Sequence, residues 1–224
     1  MKSKTWTTIV LATLVAAIGA VTLYVVTLTP RSAQSSSTIV SIWPLPASHR
    51  TFTDVTTAAL SVATDFGHMA NVVIDNSGRV SGDTWVVLLQ SGATGPRTSV
   101  YLTERASDQS WWVTSVSAQD IVLGYPKWQS AVSNPFHVTG LSTAFEATVN
   151  GTVSSRTSGQ MLKRFTAMGG ANGIVGAFSA TIAVPSSSTG VKSTSATIML
   201  YEVSAKDGSV MEFSAAPLTI NATH

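Results

Sequence analysis

The chain has 224 residues, 44% hydrophobic and 11% charged, with a formal net charge of +2. That charge is small and scattered, with no basic run longer than Lys163-Arg164, so nucleic acid is not an expected partner. The apolar share argues against disorder. The absence of cysteine removes disulfides, thiolate nucleophiles, zinc–thiolate sites and a lipidated N-terminal cysteine.

The first element is an apolar run. Lys2 and Lys4 precede it, and Trp6–Leu28 carries no charge. As a helix rising about 1.5 Å per residue it would be roughly 34 Å long, enough to span a bilayer core. Trp6 and Tyr24 lie near its ends, where interfacial aromatics belong. A cleaved signal peptide is the alternative, with Ala16–Ala20 as the small-residue site. The apolar run continues through VTLYVVTL beyond that site, which favours a retained signal anchor over residues 1–30. Residues 31–50 read as a Ser/Pro-rich linker. It starts with the polar tether SAQSSST and stiffens at Trp43-Pro44-Leu45-Pro46.

Residues 51–128 are expected to form a small α+β domain. Phe52, Val55, Ala59, Val62 and Phe66 recur at three- and four-residue steps, which predicts an amphipathic helix. Thr53 is the expected N-cap and Gly67 the stop. Asp75–Asp83 reads as a loop. Strands are predicted over Trp85–Gln90, Thr98–Arg105 and Trp111–Ser117, with a short one at Ile121–Leu123. Trp112 is expected in the core with Val86 and Leu88, and Trp111 on the opposite face. The run SWWVTSVSAQDIVLGYP resembles the closing strand of helix-plus-curved-sheet domains of the nuclear-transport-factor or cystatin-like kind. Such a resemblance transfers no function.

Residues 129–221 read as short strands between Gly and Ser turns, the pattern of a β-sandwich. Phe145, Ala147 and Val149 are expected on one face, with Glu146 opposite. Phe178, Ala180, Ile182 and Val184 form a second inward row. Ile198 and Leu200 alternate with Met199, Tyr201 and Val203. Both rows are apolar, so this strand should be central and covered on both faces. Lys206-Asp207-Gly208-Ser209 is the strongest hairpin signal. Val210, Glu212 and Ser214 oppose Met211, Phe213 and Ala215. The segments AFEATVNGTV, GAFSATIAV and LYEVSAKDGS, entered through Asn134-Pro135, resemble the immunoglobulin-like domain associated with bacterial spore germination proteins, over about residues 134–220. The resemblance implies a bacterial envelope protein with an extracytoplasmic sandwich used for interaction, and it implies no particular ligand.

No catalytic, cofactor-binding or metal-binding residue is assigned, and no cofactor is expected. His49, His68, His137 and His224 lack companions at metal-ligand spacing. Asp54 and Asp65 share the helix. Glu146 and Glu202 come from different strands and could approach, but the sandwich explains both without catalysis. Gly169–Gly173 is glycine-rich without the strand, helix and lysine of a phosphate cradle. The fold class is thus an anchor helix, an α+β unit with its helix packed on an antiparallel sheet, and a C-terminal immunoglobulin-like β-sandwich. The expected role is non-enzymatic binding or scaffolding. The protein would sit in the bacterial cell membrane by a single pass, with most of the chain outside the cytoplasm and envelope proteins or cell-wall polymer as partners. The competing readings are an envelope accessory enzyme acting on carbohydrate through a pocket in the middle segment, and a structural spacer.

Overall fold

In the computed structural model the described residues are 39–143, 146–185 and 192–222. The expected anchor, the first part of the linker and Phe145 lie outside them. Among the described residues no helix is long and apolar enough to cross a membrane.

Alternating apolar positions build twelve described strands. These are β1 (Val72–Ser81), β2 (Thr84–Ser91), β3 (Arg97–Arg105), β4 (Ser110–Ala118), β5 (Ile121–Tyr125) and β6 (Ala131–Ser133), then β7 (Phe136–Ser142), β8 (Thr148–Ser155), β9 (Met161–Met168), β10 (Gly176–Ile182), β11 (Ser193–Val203) and β12 (Val210–Asn221). Among the described residues they form two sheets. One has nine strands in the order β1-β2-β3-β4-β12-β11-β8-β9, with β6 parallel to β12; the other has three in the order β10-β7-β5. The three predicted middle strands are β2, β3 and β4, each extended by a residue or so.

The large sheet is covered on opposite faces in its two halves. The helix α1 (Val55–Ser61) and the single π turn Val62–Phe66 that continues it cover the inner face of β2, β3 and β4. The three-stranded sheet covers the other face at β12, β11 and β8, which makes the sandwich. β12 lies between the two cores and serves both. Its Phe213 and Ala215 point into the helix-side core, while Ala216, Leu218 and Ile220 point into the sandwich core. β11 does the same, with Met199 on one side and Ile198 and Leu200 on the other. The strand is central, as expected, and its sandwich face is covered, but the other row is covered only in part, with Val203 exposed.

Five local expectations need correction, the first at Val210, which shares the helix-side face with Phe213 instead of opposing it because the β11–β12 pairing shifts register beside it. The helix cap is Asp54 rather than Thr53, and the Asp54 carboxylate accepts from Thr57 N at 2.7 Å. Thr56 and Thr57 hydroxyls also donate to it, and these bonds hold its pKa below the usual carboxylate value. The supposed loop Asp75–Asp83 is mostly strand, because β1 pairs with β2 across a turn at Gly82, whose φ is 49°. Its Asn, Ser and Gly residues hide the strand signal, and nearly every β1 side chain is exposed. The core tryptophan is Trp111, not Trp112. Trp111 meets Trp85 edge-on at 6.0 Å, beside buried Val87, Leu89, Val100 and Leu102. Val86, Leu88 and Trp112 do share a face, as expected, but it is the half-exposed one, where Trp112 lies under Arg105 and donates from Nε1 to Ser110 Oγ. Finally, Ala147 does not alternate with Val149. It takes a left-handed φ of 59° in the turn before β8, leaving Val149 and Val153 as the buried hydrophobic side chains of that strand.

The expected boundaries fall inside shared structure. Residues 39–50 are not a free linker. Ile42 is fully buried, Trp43 nearly so, and the two pair with β4 through Ile42 N to Val113 O and Val113 N to Trp43 O, both 2.8 Å. This segment occupies the edge of β4 where β12, which meets β4 in register only at Ala215–Val116, no longer does. At the other boundary β5, expected in the α+β part, belongs to the small sheet through its pairing with β7. Residues 39–224 therefore make one compact unit.

Candidate binding groove

Where the helical layer ends, the large sheet continues uncovered through β8 and β9. The resulting groove has a volume of about 440 Å³. Its floor comes from Thr152 and Ser154 of β8, Met199 and Tyr201 of β11 and Val210 of β12. These residues share the helix-side face: Thr152 is in register with Met199, and Tyr201 with Phe213. One wall is Trp43 and Leu45 from the N-terminal segment, with Asp65, Phe66 and His68 from the helix end. The other is the β8–β9 hairpin, through Ser158, Gly159, Met161 and Arg164.

Packing holds the walls. Phe66 is set by Trp43 on one side, at 6.2 Å between rings, and by fully buried Phe213 on the other, at 6.3 Å. Gly67 follows directly, and any side chain there would collide with the Phe213 ring, so only glycine lets the helix end lie so close to the sheet. Gly159, at φ 75°, places the hairpin turn against Leu45, and Arg156 reaches the Ser41 carbonyl at 3.5 Å. The Trp43 indole nitrogen donates to Ser61 Oγ at 3.0 Å.

The electrostatics are asymmetric. Asp65 is the acidic group in the lining, and Arg50 binds it at 2.6 Å. That bond, with smaller help from Ser61 and Thr64, holds the Asp65 carboxyl below its usual pKa. Arg50 also stacks over Trp43 and Phe52. The Arg164 side chain is exposed, and its guanidinium has no hydrogen-bond or ion-pair partner among the described residues. A groove of this size falls within the range of small-ligand sites, roughly 300–1,000 Å³.

A second polar cluster lies outside the groove. Glu212 is fully buried on the sandwich side of β12, and accepts from Gln119 N at 2.9 Å and Asp120 N at 3.1 Å. Next along that face, Ser214 donates to Ile121 O at 2.6 Å and accepts from Ala118 N at 2.8 Å. The pair fastens the β4–β5 turn onto β12. Burial pushes the Glu212 carboxyl up to about 8, against the two backbone donors and with added repulsion from Asp120 and Glu202. This cluster is a structural clasp between the two halves.

The residues singled out by sequence are dispersed. His137 is exposed in β7 beside Thr181, and His49 is exposed beyond the Pro46–Ser48 turn; among the described histidines only His68 lines the groove, and His224 lies outside the described residues. The acid opposite Glu202 is Glu212, while Glu146 is exposed in the turn before β8. Asp54 and Asp65 have separate duties as cap and groove wall. Gly169–Gly173 lies in the β9–β10 connection, as expected of a loop. Among the described residues no cluster of His, Asp and Glu could hold a metal ion. Sequence reading missed the groove because its walls come from segments about ninety or more residues apart. It could have marked Glu212, the lone charge in the otherwise uncharged strand Val210–Asn221.

No curated protein matches the chain. Residues 120–209 match the family model of the immunoglobulin-like domain of bacterial spore germination, which starts at the turn before β5 and so claims that strand for the sandwich, as the pairing of β5 with β7 does.

Proposed function

We propose that this chain is a single-pass protein of the bacterial envelope whose extracytoplasmic part binds a ligand, or holds a partner in place, without transforming it. The groove is the observation that carries the reading. It is open, it is built jointly by the helical layer and the immunoglobulin-like sandwich, and it presents the Arg164 guanidinium, which has no partner among the described residues, beside several hydroxyls. The family resemblance supports an interaction role, and the apolar run Trp6–Leu28 supports an anchor. The competing reading needs a reaction pocket between helix and sheet in the middle segment. That space holds Phe213, Trp111, Ala58, Ala59 and Val62, all buried, which favours binding over chemistry.

The test combines fractionation with a groove-filling variant. The full-length chain should remain with membranes through high salt and alkaline wash. A soluble product beginning near Val21 would replace the anchor with a cleaved signal. In detergent, the full chain should co-sediment with purified cell-wall material. Ser154→Trp, a bulky side chain in the half-buried groove floor, should abolish co-sedimentation and leave the melting temperature unchanged. Undiminished co-sedimentation of a folded Ser154→Trp protein would remove the groove from the function.

A further inference from the structure

The identity of the groove's ligand can be narrowed by chemistry, an inference that rests on the binding reading above. The floor mixes two kinds of surface. Met199 and Val210 supply an apolar strip. Thr152, Ser154 and Tyr201 place hydroxyls along it, and each hydroxyl can both donate and accept. A purely apolar ligand would leave these hydroxyls without partners as it excluded water, which is costly. A polyhydroxylated ring meets both demands, because its hydroxyls pair with those of the floor while its C–H face lies on apolar or aromatic surface.

Charge then selects among such rings. Arg50 neutralises the acid of the lining, Asp65, at 2.6 Å. Arg164 stands on the facing wall with its guanidinium uncommitted among the described residues. Guanidinium matches carboxylate in a two-pronged geometry that neutral hydroxyls do not offer. One peptide mode, strand addition by main-chain pairing to a sheet edge, does not describe this groove, whose lining is made of side chains.

We propose that the groove binds a saccharide bearing a carboxylate, with Arg164 holding the carboxylate and the floor hydroxyls holding the ring. The experiment is calorimetric titration of the detergent-solubilised full chain with three probes: trigalacturonate, its neutral methyl ester, and triglutamate. Trigalacturonate should bind, and the ester should bind about tenfold or more weaker, as expected for loss of a charge-assisted pair. Triglutamate should not bind measurably. Arg164→Gln, an exposed position where folding should be unaffected, should reduce trigalacturonate binding to about the level of the ester. Equal affinity for acid and ester, or an Arg164→Gln protein that binds trigalacturonate normally, would overturn the carboxylate assignment. Arg164-dependent binding of triglutamate in preference to trigalacturonate would overturn the saccharide assignment in favour of an acidic peptide. Silence from all three probes, with wall co-sedimentation still sensitive to Ser154→Trp, would discard this ligand class and leave the binding reading standing.

Discussion

Phe213→Ala is expected to unfold much of the protein at ordinary temperature. Phe213 is fully buried, contacts Phe66, and lies directly under Gly67. A buried Phe→Ala change typically costs roughly 3–5 kcal/mol, because a cavity is left where the ring was. A domain holds only about 5–15 kcal/mol in all, and this chain has no disulfide to supplement it. The loss should also reach the groove, since Phe66 is held between Phe213 and Trp43. Thermal denaturation should therefore show a large fall in melting temperature or no soluble protein. Glu146→Ala, at an exposed turn residue, should change little. A mild Phe213→Ala phenotype would mean that β12 does not unite the two cores as described.

Alkaline pH should weaken the fold through Glu212. Its carboxyl is raised from an ordinary value of 4.5 to about 8, chiefly by burial. A group whose folded pKa is raised binds its proton more tightly in the native state than in the unfolded chain. Its stabilising effect is complete below about pH 4.5 and is lost as pH climbs through about 8. A displacement of that size corresponds to roughly 4–5 kcal/mol at most. Denaturant titrations from pH 5 to pH 9 should show stability declining steadily. Glu212→Gln, which keeps an oxygen for Gln119 N and Asp120 N but cannot ionise, should flatten the decline. Asp120 and Glu202 are the acids facing Glu212, and both remain in the variant. An unchanged slope would therefore assign the pH dependence to other groups. Because Glu212 and Ser214 fasten the β4–β5 turn to β12, the wild-type loss should appear as weakened coupling between the halves.

The sequence by itself determined the local order of this protein. Alternation in β2, β3, β4, β10 and β11 was legible because each strand buries at least one apolar row, and a period of two is visible wherever a face is buried. The Lys206–Ser209 hairpin was legible from its Asp-Gly pair. Asp207 Oδ1 accepts from Ser209 N at 3.1 Å, and Gly208 takes a φ of 72°. The resemblance carried by LYEVSAKDGS was equally local. Other features depended on what packs against what. Alternation alone could pair Trp112 with Val86 and Leu88, but it could not say which face of β4 the helix would cover. β1 was hidden because a strand exposed on both faces has no burial pattern to betray it. The linker reading of residues 39–50 failed because the pairing of Ile42 and Trp43 with Val113 is a contact across some seventy positions of chain. The groove arose only in the tertiary structure, for the same reason. Its floor, helical wall and hairpin wall come from distant segments, and they meet because β12 carries one apolar row for each core and so joins two half-covered sheets into one.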